Sequence, residues 1–560
     1  MFLHRPTASL RILLALCLLA GLAMAGGCER EPDAALDAPA LVLLVVVDQL
    51  RGDVLDRYGE RLPGDGLRRL AEEGVHFREA HYGHGITATA PGHATIVTGA
   101  HPSSHGIAGN DWVDPETGRR VYCVGDPDHR LLGEPGKDHD GVAPTNLLAE
   151  TLGDVLIEQS GGASRVFAVS IKDRGAILPA GVNGKAFWFS RRTGRFVTSD
   201  YYYRREPRWL TDFNAAAPAD VYAATPWTLL RDKDDYEWRS RDDQPWERDY
   251  RGLGRVFPHA VPVGDDAYSV LRYTPYADEL TLDAVAALQR AERIGEGHGT
   301  DLLAISLSAT DYIGHKFGPD SLEAEDNLFR LDRQIARLLA LVEERVGLDR
   351  TLVVLTSDHG APSAPEFLAD GAAEPARVDV PGMIGRLNAG LRAGLGLEFD
   401  PVLRFYNPAL FLDLPTIRGA GAEPAEIARA AAALAAFEPG ILAAWPTAML
   451  QATTARTDPH ERLARASLAP NRAGHVYLVQ RPGWHLHPDP ELHASMHGSP
   501  HRYDTHVPLI LRGQGLAARV VDRPVGIETL ATSIAAWLGL RPPAQADGIA
   551  LPELISPAAD

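Results

Sequence analysis

Three stretches of this chain are built on runs of Val, Leu and Ile and end on an acid: LVLLVVVD at 41–48, DLLAISLSATD at 301–311 and RTLVVLTSD at 350–358. A strand with one wet face alternates, whereas a strand covered on both faces reads as a continuous Val, Leu and Ile run. The three runs predict central strands of a mostly parallel sheet. Between and beyond them, apolar positions recur at helical spacing over 145–158, 280–294, 322–346 and 424–437. Together these elements predict an α/β fold, a central sheet sandwiched by helices.

In open α/β sheets ligands sit beyond the carboxyl ends of the strands. Asp48, Asp311 and Asp358 all fall at that edge. A single acid after a strand starts a turn and means little, but three of them, two with a histidine attached, point to a site. Residues about 175–280 break the pattern, crowded with Trp, Tyr, Arg and Asp (FWFSRRTGRFVTSDYYYRREPRW), and are expected to form a cap inserted over the sheet edge. A second, irregular insertion is expected over about 361–480, and no internal repeat is visible.

With 560 residues, 45% of them hydrophobic, the chain can build one large core with insertions or several ordinary domains. Its formal net charge of −19 argues against a nucleic-acid partner. The same charge repels anionic substrates, so a phosphate site would need concentrated positive charge from metals or from placed Lys and Arg.

The N-terminus reads as an address. Arg5 and Arg11 flank the start of an apolar run from Leu10 to Met24, too short for a comfortable membrane span and followed by small residues. Residues 1–27 are therefore expected to be a signal peptide, 28–39 a tether and 40–560 the catalytic domain. Ala23-Met24-Ala25 fits ordinary cleavage, while Ala25-Gly26-Gly27-Cys28 resembles a bacterial lipoprotein box with Cys28 lipidated, although Ala25 stands where Leu is usual. Either ending exports the chain to the bacterial periplasm, soluble or anchored through Cys28. Cys17 leaves with the leader, and Cys123 has no evident partner, so no disulfide is expected.

The segment TATAPGHATIVTGAHPSSHG at 87–106 places Pro91 in the first turn of a helix and Gly99 at its stop. Thr89 then stands at a helix N-terminus, where free N–H groups favour negative charge. A Thr hydroxyl needs a base, a dipole or a metal to become a nucleophile, and an ordinary N-cap is the competing reading. Metal-type residues tip the balance. DYIGH sets Asp311 and His315 four residues apart, TSDHG supplies Asp358 and His359, and LHASMHGSPHRYDTHVPL supplies His493, His497, His501 and His506. Mixed His and carboxylate donors suit Zn²⁺.

Taken in order, VVVDQLR, TATAPGHATIVTG, GNDW, SIKDRGA, ATDYIGH, TSDHG and MHGSPHRYDTHVPL closely resemble the alkaline phosphatase superfamily. Within it they resemble the bacterial phosphate-irrepressible phosphatases with a Thr nucleophile, which are related to nucleotide pyrophosphatase/phosphodiesterases. The resemblance spans roughly 41–510. It implies two zinc ions, with additional Ca²⁺ or Mg²⁺ conceivable: one held by Asp311, His315 and His497, the other by Asp48, Asp358, His359 and the Thr89 oxygen. His493 is the rival to His497. It also implies that Thr89 is the nucleophile of a phosphothreonine pathway and that Asn110, Lys172 and Arg174 hold the phosphoryl oxygens. The expected activity is hydrolysis of a broad range of small phosphate monoesters by a monomer or small homo-oligomer.

Two rivals share the fold. A sulfatase needs Cys or Ser in a C/S-x-P-x-R arrangement, and this chain has Thr89-Ala-Pro-Gly-His93 instead. A phosphodiesterase shares the metal ligands and the Thr but lacks the Lys and Arg pair, so SIKDR favours monoesters. A catalytically dead surface lipoprotein is a third reading, and the complete ligand set speaks against it.

Overall fold

The computed structural model describes residues 38–555 apart from 116, 135–140, 370–373 and 453–457. The expected leader and Cys28 lie outside the described residues. The main sheet is built from β1 (Leu41–Val47), β2 (Val75–His81), β3 (Leu131–Leu132), β4 (Val166–Ser170), β5 (Lys185–Ser190), β6 (Arg195–Ser199), β7 (Asp301–Leu307), β8 (Thr351–Thr356), β9 (His506–Arg512), β10 (Arg519–Val521) and β11 (Val525–Gly526). Their spatial order is β10-β2-β9-β8-β1-β7-β4-β5-β6-β3, with β11 also on β2. The five strands β8-β1-β7-β4-β5 run parallel, and antiparallel strands flank them on both sides.

Burial on both faces explains the unbroken apolar runs. Along β1, Leu41, Leu43, Val45 and Val47 enter one core while Val42, Leu44 and Val46 enter the other. Each such side chain contributes about 1.5–3 kcal/mol on burial. A polar residue on either face would forfeit that, so the strand cannot alternate.

The helices that carry or frame the site are α1 (Thr89–Thr98), α2 (Asp173–Ala180), α3 (Tyr276–Glu292), α4 (Ala309–Phe317) and α5 (Leu322–Arg345). In the run 301–311 the strand stops at Leu307, so Asp311 belongs to the first turn of α4 rather than to a strand end. The α5 helix starts on a Ser321 cap whose side chain accepts from Ala324 N.

The two expected insertions are redrawn. β5 and β6 fall inside 175–280 and extend the main sheet, so the cap there begins only after about residue 200. The aromatic texture misleads because it is buried: Phe187 and Phe189 enter one core and Trp188 the other. Residues 361–480 are not irregular. They hold a four-stranded antiparallel sheet in the order Val402–Tyr406, Ala409–Leu412, Val476–Gln480, Ile441–Pro446, packed by helices Val380–Leu395 and Pro424–Ala435 around a core of their own. Its strands are four to six residues long, too short to announce a period.

Candidate active site

Thr89 is the first residue of α1, preceded by an extended Ala88 that makes no side-chain cap. Its hydroxyl is therefore not spent on the helix, which removes the N-cap reading. Gly99 closes the helix in the left-handed conformation at φ 68°, with its N–H on Thr95 O. His93, one turn on, anchors this start. Its Nδ1 donates to Thr89 O at 2.8 Å and lies 3.2 Å from Asp358 Oδ2, while Nε2 meets Ser306 Oγ at 2.9 Å. Thr89 is 1% exposed.

The proposed metal ligands converge as two groups, Asp48 with Asp358 and His359, and Asp311 with His315 and His497. Asp48 follows β1 and Asp358 follows β8, adjacent strands of the parallel block, so both carboxylates emerge at one edge. In the other group His315 Nε2 lies 3.1 Å and His497 Nε2 3.5 Å from Asp311 Oδ1. His493 falls outside both groups and packs its ring against His315 at 4.5 Å.

The histidines are arranged as ligands usually are. Nδ1 of His315 donates to Ser495 O, Nδ1 of His497 to Thr87 O and Nδ1 of His359 to Gly360 O, at 2.9, 2.7 and 3.0 Å. A carbonyl acceptor fixes the proton on Nδ1, so each Nε2 presents a lone pair to the carboxylates. Burial, with neighbouring His359 and His315, holds His497 well below its ordinary pKa. Asp48 Oδ1 and His359 Nε2 face each other at 3.5 Å and neither has a hydrogen-bond partner. Buried groups in this state call for a cation. The donor set and these orphaned atoms fit a pair of divalent metals.

Lys172, the residue before α2, is 3% exposed and reaches into the middle of both groups. Its ammonium lies 2.6 Å from Asp48 Oδ2, 2.5 Å from Asp311 Oδ2 and 3.4 Å from Thr89 Oγ1. Burial works against its charge, but Asp311 and Asp48 outweigh it and push its pKa up. Burial likewise opposes ionisation of Asp311, yet His315 and Lys172 hold that carboxyl well below the usual range. Asp48 goes the other way: burial and the negative field of Asp358 raise it well above. Three buried carboxyl groups around one ammonium form a site that further cations would complete, and the raised Asp48 carboxyl reflects that excess of acids.

Asn110 sits where the helix start can use it, its Oδ1 accepting from Ala90 N at 2.9 Å. Arg174 is largely buried on α2, its Nη1 donating to Tyr122 Oη at 3.4 Å, and Tyr122 in turn donates to Asp173 Oδ1 at 2.5 Å. Asn110 and Lys172 thus touch the first turn of α1, and Arg174 stands behind Lys172 on its own helix.

Four further residues belong to this constellation. Gln49, at φ 66°, donates its main-chain N–H to Asp358 Oδ1 and its side-chain Nε2 to Asp311 Oδ1, at 3.1 and 2.9 Å, and so ties the two groups together. His93 is the second and Tyr312, whose ring lies 5.0 Å from the Lys172 ammonium, the third. All three sit inside recognisable motifs, so a signal existed. The fourth, Arg272, has none in the sequence. A separate group, Glu79, His81 and His506, is closed by the Arg502 guanidinium at 2.6 Å from Glu79 Oε2.

The type I phosphodiesterase / nucleotide pyrophosphatase family matches residues 42–504. The chain belongs to that family. Alkaline phosphatase PhoV of Synechococcus elongatus is 32% identical, covering 92% of this chain and 93% of that protein. Alkaline phosphatase PafA of Elizabethkingia meningoseptica is 31% identical, covering 96% and 98%. A protein of Myroides odoratus named as a calcium-transporting ATPase is 33% identical over 91% and 93%. The crystal structure of wild-type PafA superposes with a TM-score of 0.84 at 31% identity, covering 93% of this chain and all of that one. Murine ectonucleotide pyrophosphatase/phosphodiesterase 5 shares the fold at 14% identity and a TM-score of 0.52, over 90% and 96%.

Proposed function

We propose that this chain is an exported alkaline phosphatase that hydrolyses small phosphate monoesters through a phosphothreonine at Thr89, with two zinc ions as its resident metals. The observation that carries this reading is the Lys172 ammonium, set 3.4 Å from Thr89 Oγ1 at the meeting point of two metal-type residue groups. Kinship with alkaline phosphatases PhoV and PafA over nearly the whole chain supports it.

Asp311, His315 and His497 would hold one metal, and Asp48, Asp358 and His359 the other. When bound, such a pair supplies Lewis-acid stabilisation of the attacking and leaving oxygens and lowers the pKa of a nearby hydroxyl. The chain's own residues do the rest. His93 and Asn110 hold the first turn of α1, so Thr89 Oγ1 meets the phosphorus with little freedom to lose. Its attack forms an O–P bond as the bond to the leaving oxygen breaks; the Thr89 proton passes to solvent and the departing alkoxide takes one from water, so protons balance. Water then cleaves the phosphothreonine, returns the hydroxyl to Thr89 and releases phosphate. Lys172, Arg174 and Asn110 offset charge on the nonbridging oxygens, a preorganised field where charge concentrates. Arg offers a planar fork and Lys a point charge.

Residues 1–27 would direct export, leaving the mature chain either soluble or anchored through Cys28. The alternative is a phosphodiesterase on the same groups, favoured by the family's description. Matched nitrophenyl mono- and diesters, assayed on metal-stripped and zinc-restored protein, separate the two. A diester preference would overturn the monoesterase reading. The name of the Myroides relative adds ATP to the substrates worth assaying. Among the described residues no helix is long and apolar enough to cross a membrane.

A further inference from the structure

Lys172 has a flexible four-carbon stem, and nothing in its own helix start fixes where the ammonium rests. What bounds it on the remaining side is the Tyr312 ring, 5.0 Å away and next in sequence to Asp311. Tyr312 is itself held from a distant part of the chain. Arg272, just past the short helix Ala267–Leu271, donates from Nη1 to Tyr312 Oη at 2.8 Å, with its guanidinium carbon 4.9 Å from the same ring. The other arms of this guanidinium are anchored to the cap: Nε donates to Ser269 O at 3.2 Å and Nη2 to Ser269 Oγ at 3.1 Å. Ser269 Oγ meets Tyr250 Oη at 3.1 Å, and the Tyr250 and Tyr273 rings pack tilted by 32° at 4.0 Å. Among the described residues the acceptors of this guanidinium, Tyr312 Oη, Ser269 O and Ser269 Oγ, are all neutral. Holding a half-buried guanidinium on neutral partners alone costs solvation that no ion pair returns, which makes its fixed place against Tyr312 worth explaining.

We propose that Arg272 and Tyr312 are positioning residues for Lys172: Arg272 braces the Tyr312 ring from the cap, and the ring holds the ammonium at Thr89 Oγ1. The cap thereby sets how strongly the site prefers a dianionic monoester over a diester. This rests on the monoesterase reading above. Cation–ring contacts of this sort reach about tenfold in rate when desolvated. A short flexible cation loses that when its wall is free to tilt.

The test is a double-mutant cycle on the zinc-loaded protein with matched nitrophenyl mono- and diesters. Arg272→Met lowers monoester kcat/KM about tenfold in the wild-type background and less than about twofold in Lys172→Ala, because no ammonium is left to position. Tyr312→Phe, which keeps the ring and loses the brace, reproduces the Arg272→Met loss, and the two together cost no more than either. Bound metal, measured by elemental analysis, stays at the wild-type content. Equal losses in both backgrounds, or equal losses for both substrates, overturn the inference. So does a fall in bound metal alongside the rate, which would make Arg272 a support for Asp311. If Lys172→Ala itself leaves the monoester rate unchanged, the monoesterase reading fails and the inference falls with it. Additive losses on a damaged Lys172 background sink the inference alone.

Discussion

The Lys172 ammonium lies 3.4 Å from Thr89 Oγ1 while bridging the carboxylates of Asp48 and Asp311. One cation thus touches the proposed nucleophile and a carboxylate from each candidate metal group. A monoester dianion carries one more nonbridging charge than a diester, so on the proposed reading this cation and Arg174 should stabilise the monoester more. Charge-assisted hydrogen bonds are worth about 1.5–3 kcal/mol each, and about 1.4 kcal/mol is tenfold in rate. The Lys172→Ala, Arg174→Ala double variant is expected to lose at least about a hundredfold in monoester kcat/KM and much less for the diester. Equal losses would reduce the pair to structural support.

Thr89 heads α1 with an uncapped hydroxyl, whereas Thr87 spends its own on Ser499 O at 2.9 Å and Thr95 faces His84 and His105 at 3.2 Å. Acid quenching during turnover is expected to trap the phosphoryl group on Thr89, located by mass spectrometry. Phosphate found on Thr87 or Thr95 would refute the assignment. Thr89→Ala should lose most turnover, and Thr89→Ser should keep part of it because a hydroxyl remains.

Removing the metals is expected to abolish activity, and Zn²⁺ to restore it. Asp311→Ala and His359→Ala each take a donor from a different group, so each should lower bound metal as well as rate. Breaking the outer contact is milder. Gln49→Ala frees Asp311 from its 2.9 Å amide donor and should weaken metal affinity by about 10–100-fold, the range for lost outer-shell partners. Full activity in protein shown by elemental analysis to be metal-free would eliminate this chemistry.

The parallel core was legible because β1, β7 and β8 are buried on both faces and their composition says so without any period to detect. The two candidate metal groups were legible because their spacing is chemical: Asp311 and His315 share a helix face, and Asp358 and His359 follow a strand. Other parts depend on partners far along the chain. β5 reads as cap because aromatic strands and aromatic loops share a composition, and only packing against β4 tells them apart. Arg272 could not be singled out, since its meaning comes from Tyr312, forty residues away and on another helix. His493 and His497 look alike in sequence, and the Thr87 carbonyl that orients His497 separates them.

A pair of buried acids, Glu247 of the cap and Glu323 of α5, responds to pH away from the active site. Glu247 is 1% exposed, its Oε2 accepts from Gln244 N at 3.0 Å, and its Oε1 has no partner. Burial, then the field of Glu323, pushes its carboxyl up to about 9. Glu323, fully buried in the first turn of α5, is raised as well, chiefly by burial, and meets His259 Nε2 at 3.1 Å. In the unfolded chain Glu247 titrates near its ordinary 4.5. Between those two values the native state holds a proton that the unfolded state has released. Stability from this group is therefore full below the unfolded value, declines as pH rises, and is gone above about 9. Glu247→Gln cannot lose that proton and keeps an acceptor for Gln244 N. Its Tm relative to wild type is expected to climb as pH rises from about 5 to about 9 and to level off beyond. Thermal unfolding at a series of pH values checks this, and a difference that stays flat across the range would mean that Glu247 is ionised in the folded protein.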